Sequence, residues 1–460
     1  MKTKILDTNV ILDRPITHTI ESFSNEGSEI KIVIPFKVVI ELDTFKKGMD
    51  PINEYCRTAI RFLDGLRAQG NLSEGIIYDD KFIVQVHITA EDVHNLDPNK
   101  VDNNIILIAK KLKDEGSEVE VVTRDLHERL LADVLGIIAK DVDLDIAANE
   151  ELYTGIEFMD MTDEQLQWWY SNPTLGCWIP APKPLYPNQF VAMKDSTDTV
   201  HYGAYNYKSN SIIELKKGYT AWGLKPKKNG QGETVMEQAM LMHLLLDPTV
   251  EFVSAIGSSG TGKTVLALAC GLEQVLGKFP SLYDKIVVMR PMVGVDKDIG
   301  ALPGDKNMKL EPWMGPIFDN LEFLLDNYTP KDLSMRKDTC MPSSPRDRVY
   351  ELIHTGKLEL EAITYIRGRS MPKQFIIIDD AQNLTPQQAA TIITRAGEGT
   401  KVVFLGDISR KQIDDKRLTP MSNGLAYTVD KLKGKDPIIG HITMKEVVRS
   451  RLAMLGVEYL

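Results

Sequence analysis

Cysteine is scarce: the 460 residues hold four, Cys56, Cys177, Cys270 and Cys340, with no C-x-x-C pair among them. That scatter argues against a disulfide framework and a thiolate zinc site, and leaves reduced, buried thiols. Long apolar runs are missing too, so no segment reads as a membrane span. The N-terminus, MKTKILDTNV, enters a short strand pattern directly, without the extended apolar core of a signal peptide. The chain is therefore expected to be soluble and cytoplasmic, with no membrane partner. Positive charge is in short supply at the front. Net charge is −11, and residues 1–150 carry 18 Lys+Arg against 28 Asp+Glu, leaving 36 against 37 for the remainder. Such a front surface repels phosphate backbones, so nucleic acid would be met through local basic loops or bridging metal ions. The rest of the composition, 43% hydrophobic and 26% charged, is globular. At roughly 100–200 residues per domain it suggests two or three domains.

The chain is organised around GSSGTGKT, from Gly257 through Ser258, Ser259, Gly260, Thr261, Gly262 and Lys263 to Thr264. It follows the apolar run VEFVSAI and opens TVLALACGLEQVL, which has helical spacing. This is the strand–loop–helix setting in which a glycine-rich backbone turns its N–H groups and a helix N-terminus towards a triphosphate. Lys263 would reach the β and γ phosphates of ATP, and the Thr264 hydroxyl would bind Mg2+. Downstream, FIIIDDAQN closes an apolar strand with two acids. Asp379 fits the acid that holds Mg2+ from the end of a neighbouring strand, Asp380 the group that orients the attacking water, and Gln382 a further catalytic candidate. Gln238 joins the nucleotide-binding candidates.

In the front part, KTKILDTNVIL reads as a strand ending at Asp7, and EIKIVIP as another, followed by a helix carrying Glu41. DNNIILIAKKL is a helix beginning at Asp102, and VEVVT a strand after which Asp125 opens LHERLLADVLG. Taken singly these acids read as caps and solvated residues, and Asp125 with Glu128 has capping-box spacing. Together, Asp7 and Asp125 at strand ends and Glu41 and Asp102 near helix starts would converge at one end of a parallel sheet. Carboxylates brought that close repel unless a divalent cation sits among them, and oxygen-only ligation suits Mg2+ or Mn2+. Such an ion activates water and stabilises a phosphodiester transition state.

Between them, IPAPKPLYPN is a proline-rich linker, and FVAMKD, VHYGAYNYK and SIIELKKG are short strand-like segments of a small β module. The module reads as a spacer. An alternative is that Tyr202, Tyr205, Tyr207 and Trp222, interleaved with Lys208, Lys216 and Lys217, form a stacking surface for single-stranded nucleic acid.

Two resemblances complete the reading. LDTNVILD, IPFKVVIELDTFKK, VDNNIILIAKKL and VVTRDLHERLLADVLG resemble, in order, the sequence blocks of PIN domains, metal-dependent ribonucleases of α/β fold. The resemblance sets Asp7, Glu41, Asp102 and Asp125 on the PIN acidic residues. GSSGTGKTVLALACGLE, IVVMRPMVGVDKDIGALPGD, PWMGPIFDNLEFL, YIRGRSMPKQFIIIDDAQN and SNGLAYTVDKLKG are similar to blocks of PhoH ATPases, again in order. The chain thus resembles a PIN–PhoH fusion, with a PIN-like parallel-sheet domain at 1–149, a linker and small β module at 150–221, and a RecA-like P-loop ATPase at 222–460. The resemblance implies a homo-oligomer, a hexameric ring, that unwinds and cleaves RNA, single-stranded or tailed duplex, at the expense of ATP. Arg449, in VVRSRLA, is the candidate for γ-phosphate contact, with Arg395 as the alternative. Arg290, Arg367 and Arg369, at strand ends, are candidates for RNA phosphates, with surface salt bridges as the alternative that would look identical in sequence. Two positions depart from the family: its members read D-E-A-Q where Asp379-Asp380-Ala381-Gln382 stands, and Gln412 falls two residues later than in G-D-x-x-Q. The shorter acid implies either slow ATP hydrolysis or a shifted backbone. Rival readings are a nucleotide-switched RNA- or protein-binding module whose PIN domain does not cut, and a small-molecule phosphotransferase, against which the D-D-A-Q block and the front domain speak.

Overall fold

The structure, a computed structural model, describes residues 2–13, 15–23, 29–47, 51–79, 81–88, 96–140, 152–171, 178–277, 280–291, 313–327, 344–363, 370–415 and 418–447. The chain divides into two compact units, Met1–Glu151 with Arg417–Ser422, and Leu152–Lys416 with Asn423–Leu460.

The first unit is built on six strands, β1 (Lys2–Leu6), β2 (Ile30–Pro35), β3 (Ile76–Tyr78), β4 (Phe82–His87), β5 (Glu118–Val122) and β6 (Ile138–Lys140), in the order β3-β4-β2-β1-β5-β6. All neighbours pair in parallel except the β3–β4 hairpin at one edge. The central strands are buried on both faces, as parallel strands covered by helices must be, with Ile5, Ile32, Ile34 and Val121 fully buried alongside the charged pair Lys4 and Glu120. The helices Phe36–Phe45, Val101–Asp114 and Leu126–Val134 start at the carboxyl ends of β2, the segment after β4, and β5.

The second unit carries two sheets. The smaller has β7 (Ile156–Asp160), β8 (Trp178–Pro180), β9 (Phe190–Lys194), β10 (Val200–Asn206) and β11 (Ser211–Glu214), ordered β7-β9-β10-β11-β8 and antiparallel apart from the β7–β9 pair. It shares its core with the P-loop part, because Phe190 and Trp222 are buried in one apolar cluster with Met240, Leu244 and Val253. The four aromatic residues read as a stacking surface are divided by this packing. Trp222 is core, Tyr202 packs against that core, the Tyr205 hydroxyl donates to Asn210 Oδ1 at 2.9 Å, and Tyr207 is exposed. The larger sheet has β12 (Phe252–Gly257), β13 (Lys285–Arg290), β14 (Leu358–Ala362), β15 (Gln374–Ile378), β16 (Lys401–Gly406) and β17 (Ile439–Met444), all parallel, in the order β14-β13-β15-β16-β12-β17. The small sheet's flank shields the open edge at β17, where the Thr443 N–H donates to the Thr154 carbonyl at 2.8 Å and Asn188 Nδ2 to the Ile439 carbonyl at 2.9 Å. Lys401, fully buried, donates to the carbonyls of Leu244 and Asp247 at 3.0 and 2.7 Å and so closes the C-terminal end of the Met236–Leu246 helix. Burial pushes its ammonium down to about 8.

A buried charge cluster ties three strands of the first unit. Lys4 Nζ lies 2.6 Å from Glu120 Oε1, while Lys2 and Lys140 reach Glu120 Oε2 at 3.2 and 3.1 Å. Burial alone would raise the Glu120 carboxyl, but hydrogen bonds from Lys4, Lys140 and Lys2 outweigh it and hold the group at about 2 instead of the usual 4.5. Its contribution is therefore complete above pH 4.5 and fades as the pH falls towards 2. Glu120→Gln leaves Lys4 buried without its counter-charge, at a cost of about 3–5 kcal/mol. Hydrogen exchange at pH 7 should show β1 and β5 amides opening about a hundredfold faster or more, and unchanged protection would mean that the cluster contributes little.

Candidate functional site

The P-loop leaves fully buried β12 at Gly257 and turns on Gly260 and Gly262, whose φ values of 94° and 92° lie in the left-handed region that glycine enters without strain. Gly262 caps the Lys263–Leu272 helix, which points its first N–H groups into the loop. Lys263 folds back over the loop, donating to the carbonyls of Gly257 and Ser258, the latter at 3.0 Å, and to Thr261 Oγ1 at 3.3 Å. Its ammonium thus lies against the loop that would cradle phosphate oxygens. Thr261, fully buried, donates its hydroxyl to the Ser258 carbonyl at 3.0 Å and braces the turn, while Ser259 is exposed. Gln238 is engaged at both ends of its amide. Nε2 donates to the Thr261 carbonyl at 2.9 Å and Oε1 accepts the Lys227 N–H at 2.7 Å. It shapes the loop from behind.

Thr264 Oγ1 donates to Asp379 Oδ1 at 2.8 Å. The strand carrying Asp379 is not the immediate neighbour of β12, as the sequence suggested, because β16 lies between them. Only 7% of Asp379 is exposed. Burial, then the charge of Asp380, pushes its carboxyl up to about 6, against the pull of Thr264, Arg290 and Lys263. A hydroxyl and a buried carboxylate side by side, with the lysine close by, form a donor set that fits a Mg2+–nucleotide.

Asp380 has a left-handed backbone, φ 54° and ψ 40°, which short polar residues tolerate better than most. Its Oδ2 accepts from Arg290 Nε at 2.6 Å and also from Arg290 Nη2, and Arg290 Nη1 donates to the Trp313 carbonyl at 3.1 Å. Arg290 is therefore committed to the acid in this structure, and not presented to a nucleic-acid phosphate as expected. Gln382, 2% exposed, joins the ends of β15 and β16 and the turn that follows β16. Its Nε2 donates to Asp380 Oδ1 at 3.3 Å and to the Gln412 carbonyl at 3.2 Å, and its Oε1 accepts the Asp407 N–H at 3.1 Å. The Gln412 side chain itself is exposed. Arg395 is exposed just past the Pro386–Ile393 helix. Arg449, Arg367 and Arg369 lie outside the described residues.

In the first unit, Asp7 stands at the end of β1, 2% exposed, and its Oδ2 accepts from Thr123 Oγ1 at 2.9 Å and Asn9 Nδ2 at 3.2 Å. Thr8 Oγ1 donates to Glu41 Oε2 at 2.6 Å. Thr123 Oγ1 also accepts the Asp125 N–H at 3.0 Å, and Asp125 Oδ1 caps the following helix through the His127 N–H at 2.7 Å. Asp102 is not an N-cap, since Lys100 holds that place, but sits exposed in the first turn, where its charge acts on Asp7. Asp7, Glu41 and Asp125 are thus tied to one end of the sheet by Thr8 and Thr123, and Asp102 acts on Asp7 through its charge. Among the described residues, no three His, Cys, Asp or Glu side chains form a group that could hold a metal ion as they stand.

Sequence reasoning missed one member. Glu128, read as the far half of a capping box, makes no such bond and is fully buried, with neither carboxyl oxygen hydrogen-bonded. Burial, then the charge of Asp7, pushes it up to about 9. Burial likewise raises Asp7 above the usual range. The helix phase misled, because Leu126, Leu130 and Val134 form an apolar stripe at helical spacing yet are exposed, while Glu128 and Ala132 face inward.

Gly406 at the end of β16 leaves room for Gln382, since a Cβ there would lie 2.4 Å from Gln382 Oε1 and 2.7 Å from Leu425 Cδ2. Gly406→Ala should displace the glutamine and, with misplacement on the order of 1 Å, lower the turnover of ATP by about 100-fold. Nucleotide affinity should stay within about twofold for a group that acts in the transition state and not in ground-state binding. An unaltered turnover in steady-state kinetics would show that the link is dispensable.

The PhoH-like protein family matches residues 231–459, and the PIN domain family residues 4–143. Protein PhoH2 of Bacillus subtilis is 37% identical over 476 aligned residues that cover 100% of both chains. Protein PhoH2 of Thermobispora bispora is 29% identical, covering 100% of this chain and 96% of its own. A PhoH-like protein of Bacillus subtilis is 30% identical over 234 residues, 50% of this chain and 65% of its own. With its parallel P-loop sheet behind a PIN domain and full-length similarity to these proteins, the chain belongs to the PhoH2 family, in which a PIN domain is fused to a PhoH domain.

Proposed function

We propose that the chain is an ATP-dependent RNA helicase or translocase coupled to a metal-dependent ribonuclease. The observation that carries the reading is the pairing, in one chain, of a nucleotide site in which Thr264 meets Asp379 and Lys263 lies against the loop carbonyls, and an acidic cluster at the end of a separate parallel sheet. Bound Mg2+ or Mn2+ would supply charge neutralisation and an activated water at either site. At the P-loop, Lys263 would turn from the loop carbonyls to the β and γ phosphates, while Thr264 and Asp379 would hold the cation. Asp380 and Gln382 would orient water at the γ phosphate. Arg449, or Arg395, would answer the γ-phosphate charge. In the PIN domain, Asp7, Glu41, Asp102 and Asp125 would hold the cation that cleavage needs. RNA, as a single strand or tailed duplex, is the partner that the PIN resemblance supports. A cytoplasmic homo-oligomer, a hexameric ring, rests on the resemblance to PhoH ATPases. No described helix is long and apolar enough to cross a membrane.

A second reading has its own support. The Arg290 ion pair occupies Asp380, as in a nucleotide switch that changes conformation while the PIN domain holds RNA or a protein without cutting it. Cleavage of a tailed RNA duplex, with and without ATP in Mn2+, separates the two. Lys263→Ala should abolish ATP hydrolysis and unwinding but leave cutting of single-stranded RNA. Conversely, Asp7→Asn, which keeps size and removes a ligand charge, should abolish cutting and leave ATP hydrolysis. If the parent protein cuts no RNA, or cuts as well with Asp7→Asn, the nuclease reading falls and the switch stands.

A further inference from the structure

Glu128 belongs to no part of the machinery described above, and its placement is costly. It sits at the third position of the Leu126–Val134 helix with 0% exposure, and neither carboxyl oxygen has a hydrogen-bond partner. Leaving a polar group buried without a bond costs several kcal/mol unless something compensates it. An apolar residue would fill the position without that penalty. The groups acting on the Glu128 carboxyl are Asp7, Thr123 and Asp102, so it faces the cluster at the end of β1, and no cation is among them. Asp7 itself is nearly as buried, and the side chains that donate to it, Thr123 and Asn9, are neutral.

We propose that Glu128 is a further ligand of the divalent-cation site in the PIN domain, supplying a carboxylate oxygen beside Asp7. The proposal rests on the metal-dependent reading of this cluster. Two buried acids facing each other, with an exposed Asp102 free to change rotamer at their rim, make an oxygen-only donor set of the hardness that Mg2+ and Mn2+ select. A bound cation would supply the positive charge that the surrounding residues withhold. The stability that the buried, unbonded Glu128 carboxyl costs is then the mark of a binding function, because strained or unsatisfied groups persist where a ligand relieves them.

The test uses the full chain without nucleotide and Mn2+ as the probe, with binding followed by electron paramagnetic resonance of free Mn2+. The parent should bind a Mn2+ ion that Asp7→Asn removes. Glu128→Gln and Glu128→Leu, the second apolar and close in size, should each weaken that ion by about 10–100-fold. In EDTA Glu128→Leu should slow hydrogen exchange of the β1 and β5 amides, because it removes a buried unsatisfied acid. A residue kept for packing alone would do the reverse and speed exchange. Retention of parental Mn2+ affinity in both Glu128 variants, or faster exchange in EDTA with Glu128→Leu, overturns the proposal while the cation site stands. Absence of any Mn2+ ion sensitive to Asp7→Asn in the parent overturns the metal-dependent reading itself, and the proposal with it.

Discussion

Parallel strands end at the same edge, and that constraint fixes where chemistry can sit in both units. A strand that runs parallel to its neighbours delivers its last residue beside theirs, and the helix that follows begins there with unpaired N–H groups. In the first unit, Asp7 after β1 and Thr123 after β5 meet because Lys2–Leu6 and Glu118–Val122 are in register. In the second, Gly257, Arg290, Asp379 and Asp407 come to one edge because β12, β13, β15 and β16 all pair in parallel. The P-loop needs this edge for its helix dipole, and the acids need it to reach the same ligand.

The same convergence raises an electrostatic problem that the two sites meet differently. At the P-loop, Asp379 and Asp380 are adjacent in the chain and each is answered, the first by the Thr264 hydroxyl and the second by the Arg290 guanidinium. At the front cluster the answers are hydroxyls, an amide and backbone N–H groups, and Glu128 has none. Away from the cluster the first unit does pair its buried charge, since Lys4, Lys2 and Lys140 surround Glu120. The contrast within one sheet lies between an acid paired with lysines among its strands and an acid left without a hydrogen-bond partner at its end.

Fold and sites were legible in the sequence to different depths. Strand–helix alternation revealed both parallel sheets, and glycine spacing revealed the P-loop, because each is a local pattern with one physical reading. Position in the sheet was not legible: β16 follows β15 in the chain but inserts between it and β12, and no local signal reports insertion order. Side-chain partners were harder still. Arg290 at a strand end reads as a phosphate contact until its acid is seen 90 residues away, and Glu128 reads as a cap because its spacing from Asp125 is right while its direction is wrong. The aromatic residues of the small sheet look alike in sequence, yet Trp222 is core and Tyr207 is exposed.

At the P-loop the two departures from the family pattern meet in one network. A side chain shortened by one methylene withdraws its carboxylate by about 1.5 Å, and the left-handed backbone at Asp380 is a conformation that a short acid enters at small cost. From there Oδ2 meets Arg290 and Oδ1 meets Gln382 Nε2. Gln382 is fixed in turn by the Asp407 N–H and by the Gln412 carbonyl. The residue that falls late in G-D-x-x-Q therefore acts here through its backbone, holding the glutamine that holds the acid. A side-chain contact from Gln412 would need it to turn inward from solvent, whereas its carbonyl already supports the site. Asp380 and Gln412 are thus coupled through Gln382, and a change at either position is felt by the other.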